Sequence, residues 1–337
     1  MESECSFKYK LKRNPYISVV SKPKFAHIIN TVSPADNAAL ANVQALTLET
    51  VRVARANATG KVEVELLSAQ YENARASLPE GMRATSNLIE CAADRKELNT
   101  KLKLPLLREI LSKLNESKDA THFVYSNLDI CVMPFFYGTL AAYVEQGYDA
   151  IVVNRRRISE KYLQEKDLNL MYAQAGKTHT GYDCFIFSRE LLSMFIFKDI
   201  FIGTPPSGND LFYNIFTFAK NPVLFAEKHL TFHAGMDLHK PWGDAGVNAH
   251  NQKEFLLLLN ELKSSIDISK FPGAQEMFFK RHFKWLMNPT FHYPTMMKAD
   301  FKQLGRKRKK YPETETPGGK SKYLEWLIRN VNFRDWE

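Results

Sequence analysis

Hydrophobic runs and polar breaks alternate along the first half of the chain in the order strand, helix, strand. An apolar run at 25–30 predicts the first strand, and apolar positions from Leu40 to Ala54 recur with the spacing of a helix that Gly60 ends. The same patterns recur downstream and predict strands over 62–67, 123–125 and 150–153, and helices over 104–114, with Pro105 in its first turn, and 136–146. This alternation indicates an α/β fold with a doubly wound, mainly parallel sheet flanked by helices.

The second half of the chain mixes short strands with helices and becomes helical after about residue 244. A strand is predicted over 183–187, a helix over 210–219, and an extended segment over 223–233. Further helices are predicted over 253–264, 275–287 and 322–331. We therefore predict three parts, which are an N-terminal segment at 1–24, an α/β domain at 25–245 and a helical C-terminal extension at 246–337.

Composition favours a reduced protein without membrane spans. The 337 residues are 45% hydrophobic, which suits one large domain or a core with an appendage. The four cysteines are scattered and form no C-x-x-C pair, which argues against a zinc ribbon and fits a reducing compartment. The polar N-terminus does not resemble a signal peptide, and no run approaches the ~18 apolar residues of a membrane span. We expect a cytoplasmic protein with no transmembrane segment.

The charge of the chain is concentrated near its C-terminus. The formal net charge is +9, and five positive charges form the run 306–310. Such a run can contact an anionic surface, whether nucleic acid, lipid or an import receptor, or it can be a solvated basic loop. No aromatic residues interleave it, so it does not predict a stacking platform for single-stranded nucleic acid.

A polar break directly follows the predicted strand at 123–125. Asn127 and Asp129 lie just past its carboxyl end, which is where open α/β sheets bind ligands. A carboxylate in that position can hold a divalent metal and, through it, a phosphate. The other interpretation is an ordinary polar loop, because short N-x-D strings are common by chance.

Three more polar segments follow in order, and together they carry a family resemblance. They are 180–187 with Asp183, Gly208-Asn209-Asp210 at a helix start, and 229–233 with a histidine at each end. Across about residues 25–240 this order resembles glycosyltransferases of the GT-A type. Those enzymes have a nucleotide-binding βαβ half, a D-x-D motif at a strand end, an acceptor-side strand, an acidic helix start and a late histidine. The resemblance implies a GT-A-like fold.

The resemblance also implies a site for Mn²⁺ or Mg²⁺. Asp129 would be the carboxylate ligand and His233 the imidazole ligand, with His229 as the fallback. Asn127 stands where the family usually has the first Asp, so it would contact ribose or metal-bound water instead. The lost charge puts metal affinity in question, and either histidine could instead be a packed or surface residue.

Two carboxylates match the acceptor side of the family. Asp210 would take the proton from the acceptor hydroxyl in an inverting displacement, and Asn209 replaces the Glu that often precedes it. The alternative for Asp210 is a helix N-cap. Asp183 would contact acceptor hydroxyls, or would be a turn residue.

The donor side is expected at the ends of the first strands and after the strand at 150–153. Thr31, Ser33 and the adjacent Pro34 would lie beside the base or ribose, and Glu72 is a further candidate for that contact. Arg155, Arg156 and Arg157 could grip the diphosphate or an anionic acceptor through forked hydrogen bonds, with at most two of them in the site, or they belong to a solvated basic loop.

We therefore expect a metal-assisted transferase that moves a sugar from a nucleotide-diphosphate donor to the hydroxyl of a glycan or other acceptor. A nucleotidyltransferase would share the fold class but needs a glycine- and lysine-rich loop, which 31–36 is not. A catalytically degenerate nucleotide- or glycan-binding protein with a basic tail is the other alternative, because Asn127 and Asn209 are amides where acids are usual. Sequence signatures of P-loop, Rossmann and α/β-hydrolase proteins are missing.

Overall fold

A computed structural model describes residues 22–33, 38–159, 161–162, 167–234 and 244–310. The predicted helix at 322–331, most of the predicted N-terminal segment and Pro34 lie outside the described residues.

Within the described residues, nine strands form one mixed sheet. The strands are β1 (Lys24–Asn30), β2 (Glu63–Ala69), β3 (Arg83–Ala84), β4 (His122–Ser126), β5 (Cys131–Val132), β6 (Ala150–Ile158), β7 (Lys177–Ser188), β8 (Pro222–Phe225) and β9 (Thr231–Ala234). Their order is β3-β2-β1-β4-β7-β6-β9-β5, and β8 pairs with the first half of β6. The strands β3, β2, β1 and β4 run parallel, while β7 is antiparallel to both of its neighbours. The predicted α/β fold with a mainly parallel, doubly wound sheet is therefore confirmed.

Nine α-helices connect or cover these strands in the described part of the chain. They are α1 (Ala38–Ala58), α2 (Leu107–Ser112), α3 (Phe136–Glu145), α4 (Leu168–Tyr172), α5 (Arg189–Leu192), α6 (Asn209–Phe218), α7 (Ala245–Leu262), α8 (Phe278–Met287) and α9 (Tyr293–Lys310). None of the helices in the described ranges is both long and apolar enough to cross a membrane.

Helices cover both faces of the sheet, so both faces are buried. Successive side chains of a strand point to opposite faces. In β4, Val124 points to the face covered by α1 and α3, whereas Phe123 and Tyr125 point to the face covered by α2, α6 and α7. Phe255 of α7 and Trp285 of α8 belong to this second core. The C-terminal helices therefore pack on the sheet, and the predicted domain boundaries remain predictions.

Three sequence-based expectations are wrong in local structure. The segment 154–157 continues β6 instead of forming a loop, because β7 and β9 pair with it on either side. The basic run 306–310 forms the end of α9, which fits the good helix propensity of Lys and Arg. Pro105 precedes α2, because residues 105 and 106 form isolated β-bridges with Cys91 and Phe201.

Candidate active site

Strand pairing brings Asp129 and His233 together at the carboxyl end of β4. After β4, a tight turn in which the Ile130 amide donates to the Asn127 carbonyl (3.2 Å) leads into β5. Because β5 pairs antiparallel with β9, with Cys131 opposite Phe232, Asp129 lies beside His233. Asp129 Oδ2 is 3.1 Å from His233 Nε2. The structure thus joins the two residues that the sequence proposed as metal ligands.

The charge of Asp129 is favoured by its surroundings. Burial alone would raise the pKa of Asp129, but the His233 hydrogen bond and the positive charge of Arg155 outweigh it, and the pKa is lowered. The other carboxylate oxygen, Oδ1, is buried and accepts no hydrogen bond. An ionised, partly exposed carboxylate with one buried oxygen that accepts no hydrogen bond is suited to bind a cation.

Two side chains at this point, Asp129 and His233, have the chemistry of metal ligands. Within the described ranges, no group of three or more His, Cys, Asp or Glu side chains could hold an ion. One carboxylate and one imidazole do not make an all-protein cage, but they fit a Mg²⁺ or Mn²⁺ ion whose other ligands are phosphate oxygens and water.

Asp183 is a second carboxylate, half-buried, and it lies in the middle of β7, not at the strand start or turn that the sequence indicated. The register with β6 shifts between the pairs Val153–Cys184 and Asn154–Tyr182, so Asp183 is an extra residue on its strand. Such bulges re-aim a side chain next to functional sites.

Asp183 is held from two sides. Its Oδ1 accepts a hydrogen bond from the Asn127 side-chain amide (3.0 Å), and its Oδ2 lies 3.3 Å from Arg155 Nη1. Burial raises the pKa of Asp183, and the Arg155 charge opposes this rise. Asn127 is therefore a neutral partner at a position where a second carboxylate would repel Asp183.

Asp210 is the third carboxylate and the only one of the three that is fully buried, at the start of α6. Only 2% of this residue is exposed, and its Oδ1 accepts backbone hydrogen bonds from Leu211 (2.8 Å) and Gly208 (3.2 Å). Burial raises the pKa of Asp210 to about 6 in spite of these bonds. The side chain thus serves the helix start and also has the pKa of a general base that works near neutrality.

The charges of all three carboxylates act on Tyr125, which was not identified from sequence as a site residue. Its hydroxyl donates to Asn127 Oδ1 (2.9 Å). Burial, followed by the charges of Asp210, Asp183 and Asp129, raises the pKa of Tyr125 well above its usual range. All three carboxylates therefore act on one hydroxyl group, although they come from three different elements.

A positively charged group faces these carboxylates. Arg155 is 4% exposed, and the Nε atoms of Arg155 and Arg157 are buried without hydrogen-bond partners. Burial and the charges of these two arginines lower the pKa of His179 to about 4, so this histidine is neutral at physiological pH. His179 was not proposed from sequence, because only the pairing of β6 with β7 places it near Arg155 and Arg157.

Several predicted site residues lie elsewhere or have other partners. The Arg156 side chain donates to the backbone carbonyls of Ala175 and Gly176, and its charge acts on His229 and not on the carboxylate cluster. Thr31 is buried at the end of β1 and bonds Ser68 Oγ (2.6 Å), with buried Ser33 two residues on. Glu72 is exposed at the start of the 3₁₀-helix Glu72–Ser77.

A buried polar chain supports the strand end beneath Asn127. Ser126 Oγ bonds His27 Nε2 (2.9 Å), and His27 Nδ1 bonds the Tyr137 hydroxyl (2.7 Å). Burial lowers the pKa of His27 to about 3, so it is neutral and acts as a fixed link between β1, β4 and α3.

The approach of α6 to β7 makes Gly208 sensitive to substitution. Its φ is +93°, and an added Cβ would meet the Tyr182 carbonyl oxygen at 3.0 Å. Gly60 also has a positive φ (+79°) but nothing within 4 Å of an added Cβ. In urea unfolding, Gly60→Ala should lower the free energy of unfolding by about 1–2 kcal/mol through left-handed backbone strain alone. Gly208→Ala should lower it by clearly more, because the added Cβ also meets the Tyr182 carbonyl oxygen. Equal losses would contradict this placement of α6.

Comparison with solved structures finds distant likenesses. The chain is similar to S. aureus TarS 1-349, with 11% identity, coverage of 82% of this chain and 78% of that one, and a TM-score of 0.42. Its complex with UDP-GlcNAc gives 13% identity, coverage of 83% and 81%, and a TM-score of 0.42. Rv0371c from Mycobacterium tuberculosis H37Rv gives 14% identity, coverage of 71% and 98%, and a TM-score of 0.33.

These likenesses establish neither a shared family nor a shared activity, because the identities are low and every one of these TM-scores is under 0.5. No protein-family model matches the chain, and no curated protein matches it by sequence.

Proposed function

We propose that the protein is a glycosyltransferase that moves a sugar from a nucleotide-diphosphate donor to an acceptor hydroxyl with inversion, assisted by a divalent metal. The observation that carries the proposal is the pairing of Asp129 with His233 (3.1 Å) and of Asp183 with Arg155 (3.3 Å) beside the end of β4, with the buried Asp210 near enough for its charge to act on Tyr125 as theirs do. The three acids differ chemically: Asp129 has an oxygen without a hydrogen bond, Asp183 is paired with Arg155, and Asp210 has a raised pKa. Each can therefore have a different role in the reaction.

The donor diphosphate is the part of the reaction that needs positive charge. As the sugar bond breaks, the departing nucleoside diphosphate gathers negative charge, which Arg155 and Arg157 are placed to stabilise through buried N–H groups. Asp129 and His233 would hold Mn²⁺ or Mg²⁺, which when bound neutralises phosphate charge. Thr31, Ser33 and Glu72 remain candidates for contacts with the base or ribose.

The acceptor hydroxyl needs a base on the side of the sugar opposite the departing diphosphate. Asp210 is the best candidate, because its pKa of about 6 keeps it mostly ionised at neutral pH while leaving it basic enough to accept a proton. Asp183 is held by Asn127 and Arg155 and can orient acceptor hydroxyls without taking their protons. Proton removal by Asp210 as the acceptor attacks gives direct displacement and inversion.

A second candidate is a binding protein that retains the donor site but has lost turnover. It is favoured by the amides Asn127 and Asn209, each in a place where the resemblance leads one to expect an acid. Asn127 is a neutral amide, so it offers no charge to a metal, and Tyr125 and Asp183 already engage both of its polar atoms.

A pair of adjacent arginines gives a matched test of the donor site. Purified protein with Mn²⁺ should turn over at least one UDP-, GDP- or dTDP-sugar. Arg155→Lys keeps a charge near Asp183 but loses the fork, and its KM for the donor should rise about tenfold or more. Arg156→Lys, on the other side of β6, should leave KM unchanged.

The outcomes separate the two candidates. Tight nucleotide binding without turnover of any donor would favour the binding protein. An equal effect of the two lysine variants would remove Arg155 from the donor site.

A further inference from the structure

Helix α8 presents an apolar face that the described part of the protein leaves uncovered. Met277, just before the helix, is 81% exposed, and the face on α8 consists of Phe279 (72%), Phe283 (64%), Leu286 (59%) and Met287 (64%). The spacing i, i+4, i+7, i+8 places these four side chains along one stripe. On α9, Phe301 and Leu304 are also exposed, and the Phe301 ring packs against Phe278 of α8 with 5.8 Å between ring centroids. We call this set the α8 face.

The opposite side of α8 is firmly attached. Trp285 is 1% exposed and donates from its indole N–H to the Pro272 carbonyl (2.8 Å). Asp300 of α9 accepts from Arg281 Nη2 (2.6 Å) and lies 2.9 Å from His282 Nε2. The α8 face is therefore a fixed surface, and its exposure does not come from a detached helix.

Nearly all of the net charge of the chain lies in the segment 276–310, which contains α8 and α9. Residues 276–310 contain ten basic and two acidic side chains, a surplus of eight against a net charge of +9 for the chain as a whole. The two acids are already engaged: Glu276 pairs with Lys280 and Lys284, and Asp300 is buried with Arg281 and His282. The remaining positive charge includes Lys298, Lys302 and the run 306–310 at the end of α9.

We propose that α8 and α9 dock the protein on an anionic lipid bilayer. A helix with aromatic and aliphatic residues on one side and excess positive charge next to them is what an interfacial membrane helix requires. The apolar side chains enter the headgroup region, and the basic residues meet anionic headgroups.

Other occupants account for fewer of these observations. Nucleic acid would use the charge but leave the apolar stripe in water. Residues 311–337 carry four basic and five acidic side chains, so this segment cannot balance a surplus of eight. This inference does not depend on the proposed glycosyl transfer, and soluble donor turnover should be the same in all the variants below.

Vesicle co-sedimentation of the full chain tests the proposal. The protein should sediment with phosphatidylcholine vesicles that contain phosphatidylglycerol, less with pure phosphatidylcholine, and less at high salt. Phe279→Ser combined with Phe283→Ser should lower the partition coefficient on the order of a hundredfold, from the loss of two buried aromatic side chains. Replacing 306–310 by glutamine should also weaken binding.

The matched control is Leu256→Ser with Leu257→Ser. These residues are 43% and 44% exposed on α7, away from the α8 face, and their replacement should leave sedimentation unchanged. Failure of the wild-type chain to bind anionic vesicles would overturn the proposal. Equal loss in the control pair would overturn it as well.

A fluorescence measurement distinguishes the remaining occupants. A polarity-sensitive dye on Phe283→Cys, in a Cys5→Ser background, should shift to the blue only when anionic vesicles are added. If the dye emission is already blue-shifted before vesicles are added, another part of the chain or a second copy covers the α8 face. That result would refute the membrane assignment.

Discussion

An Asp129→Asn variant is expected to lose donor turnover while keeping its fold. The amide oxygen can still accept the hydrogen bond from His233, so the geometry at 3.1 Å should survive. The substitution removes the only charged ligand that the proposed metal site has, because the other ligand is the His233 imidazole. Metal affinity should therefore fall by at least about a hundredfold. The measurement is turnover as a function of Mn²⁺ concentration, with circular dichroism as the check on folding.

The control for this variant is Asp267→Asn. Asp267 is exposed and caps the 3₁₀-helix Ile268–Lys270, a role that Asn also fills. This control should have wild-type turnover. If Asp129→Asn had wild-type turnover at every Mn²⁺ concentration, Asp129 would not be a ligand, and its buried Oδ1 would need another explanation.

An Asp210→Asn variant is expected to lose activity and gain stability. Removing the base should lower kcat by about 10²–10⁴, with little change in donor KM. In the wild-type protein, kcat/KM should rise with pH as Asp210 ionises, and level off above about pH 6. The variant should lack this rise, which separates loss of the base from a general structural defect.

The stability effect has the opposite sign because the pKa of Asp210 is raised. The folded protein holds the proton more tightly than the unfolded chain, whose Asp titrates near 3.8. Stability from the protonated form is complete below pH 3.8 and is lost as pH rises through about 6. At pH 8 the buried charge costs at most about 3 kcal/mol, which the amide avoids. Thermal unfolding at pH 8 should therefore give a higher Tm for the variant, and a lower Tm would contradict the raised pKa.

The fold was predictable where one pattern dominated a segment. The strand around Phe123 and the helices α1 and α3 follow from apolar periodicity that depends on no distant residue. The full lengths of β6 and β7 could not be predicted, because Arg155 is buried in a strand only through its ion pair with Asp183, 28 positions along the chain. A single sequence does not reveal such a partner.

The candidate site was predictable in part for the same reason. Asp129 and His233 stood out as polar residues at the ends of apolar segments, and the structure joins them. Tyr125 gave no signal, because an aromatic residue in an apolar run indicates a core position. His179 gave none either, because its proximity to Arg155 and Arg157 depends on strand register.

Calorimetric titration of nucleoside diphosphates, with and without Mn²⁺, tests the central claim most directly. The proposed site predicts that one of UDP, GDP or dTDP binds the wild-type protein in the presence of Mn²⁺. It also predicts that binding weakens strongly without the ion or in Asp129→Asn, and that Asp267→Asn binds like the wild type. Absence of binding by all three nucleotides, or equal binding by the wild type and Asp129→Asn, would contradict a donor site at the end of β4.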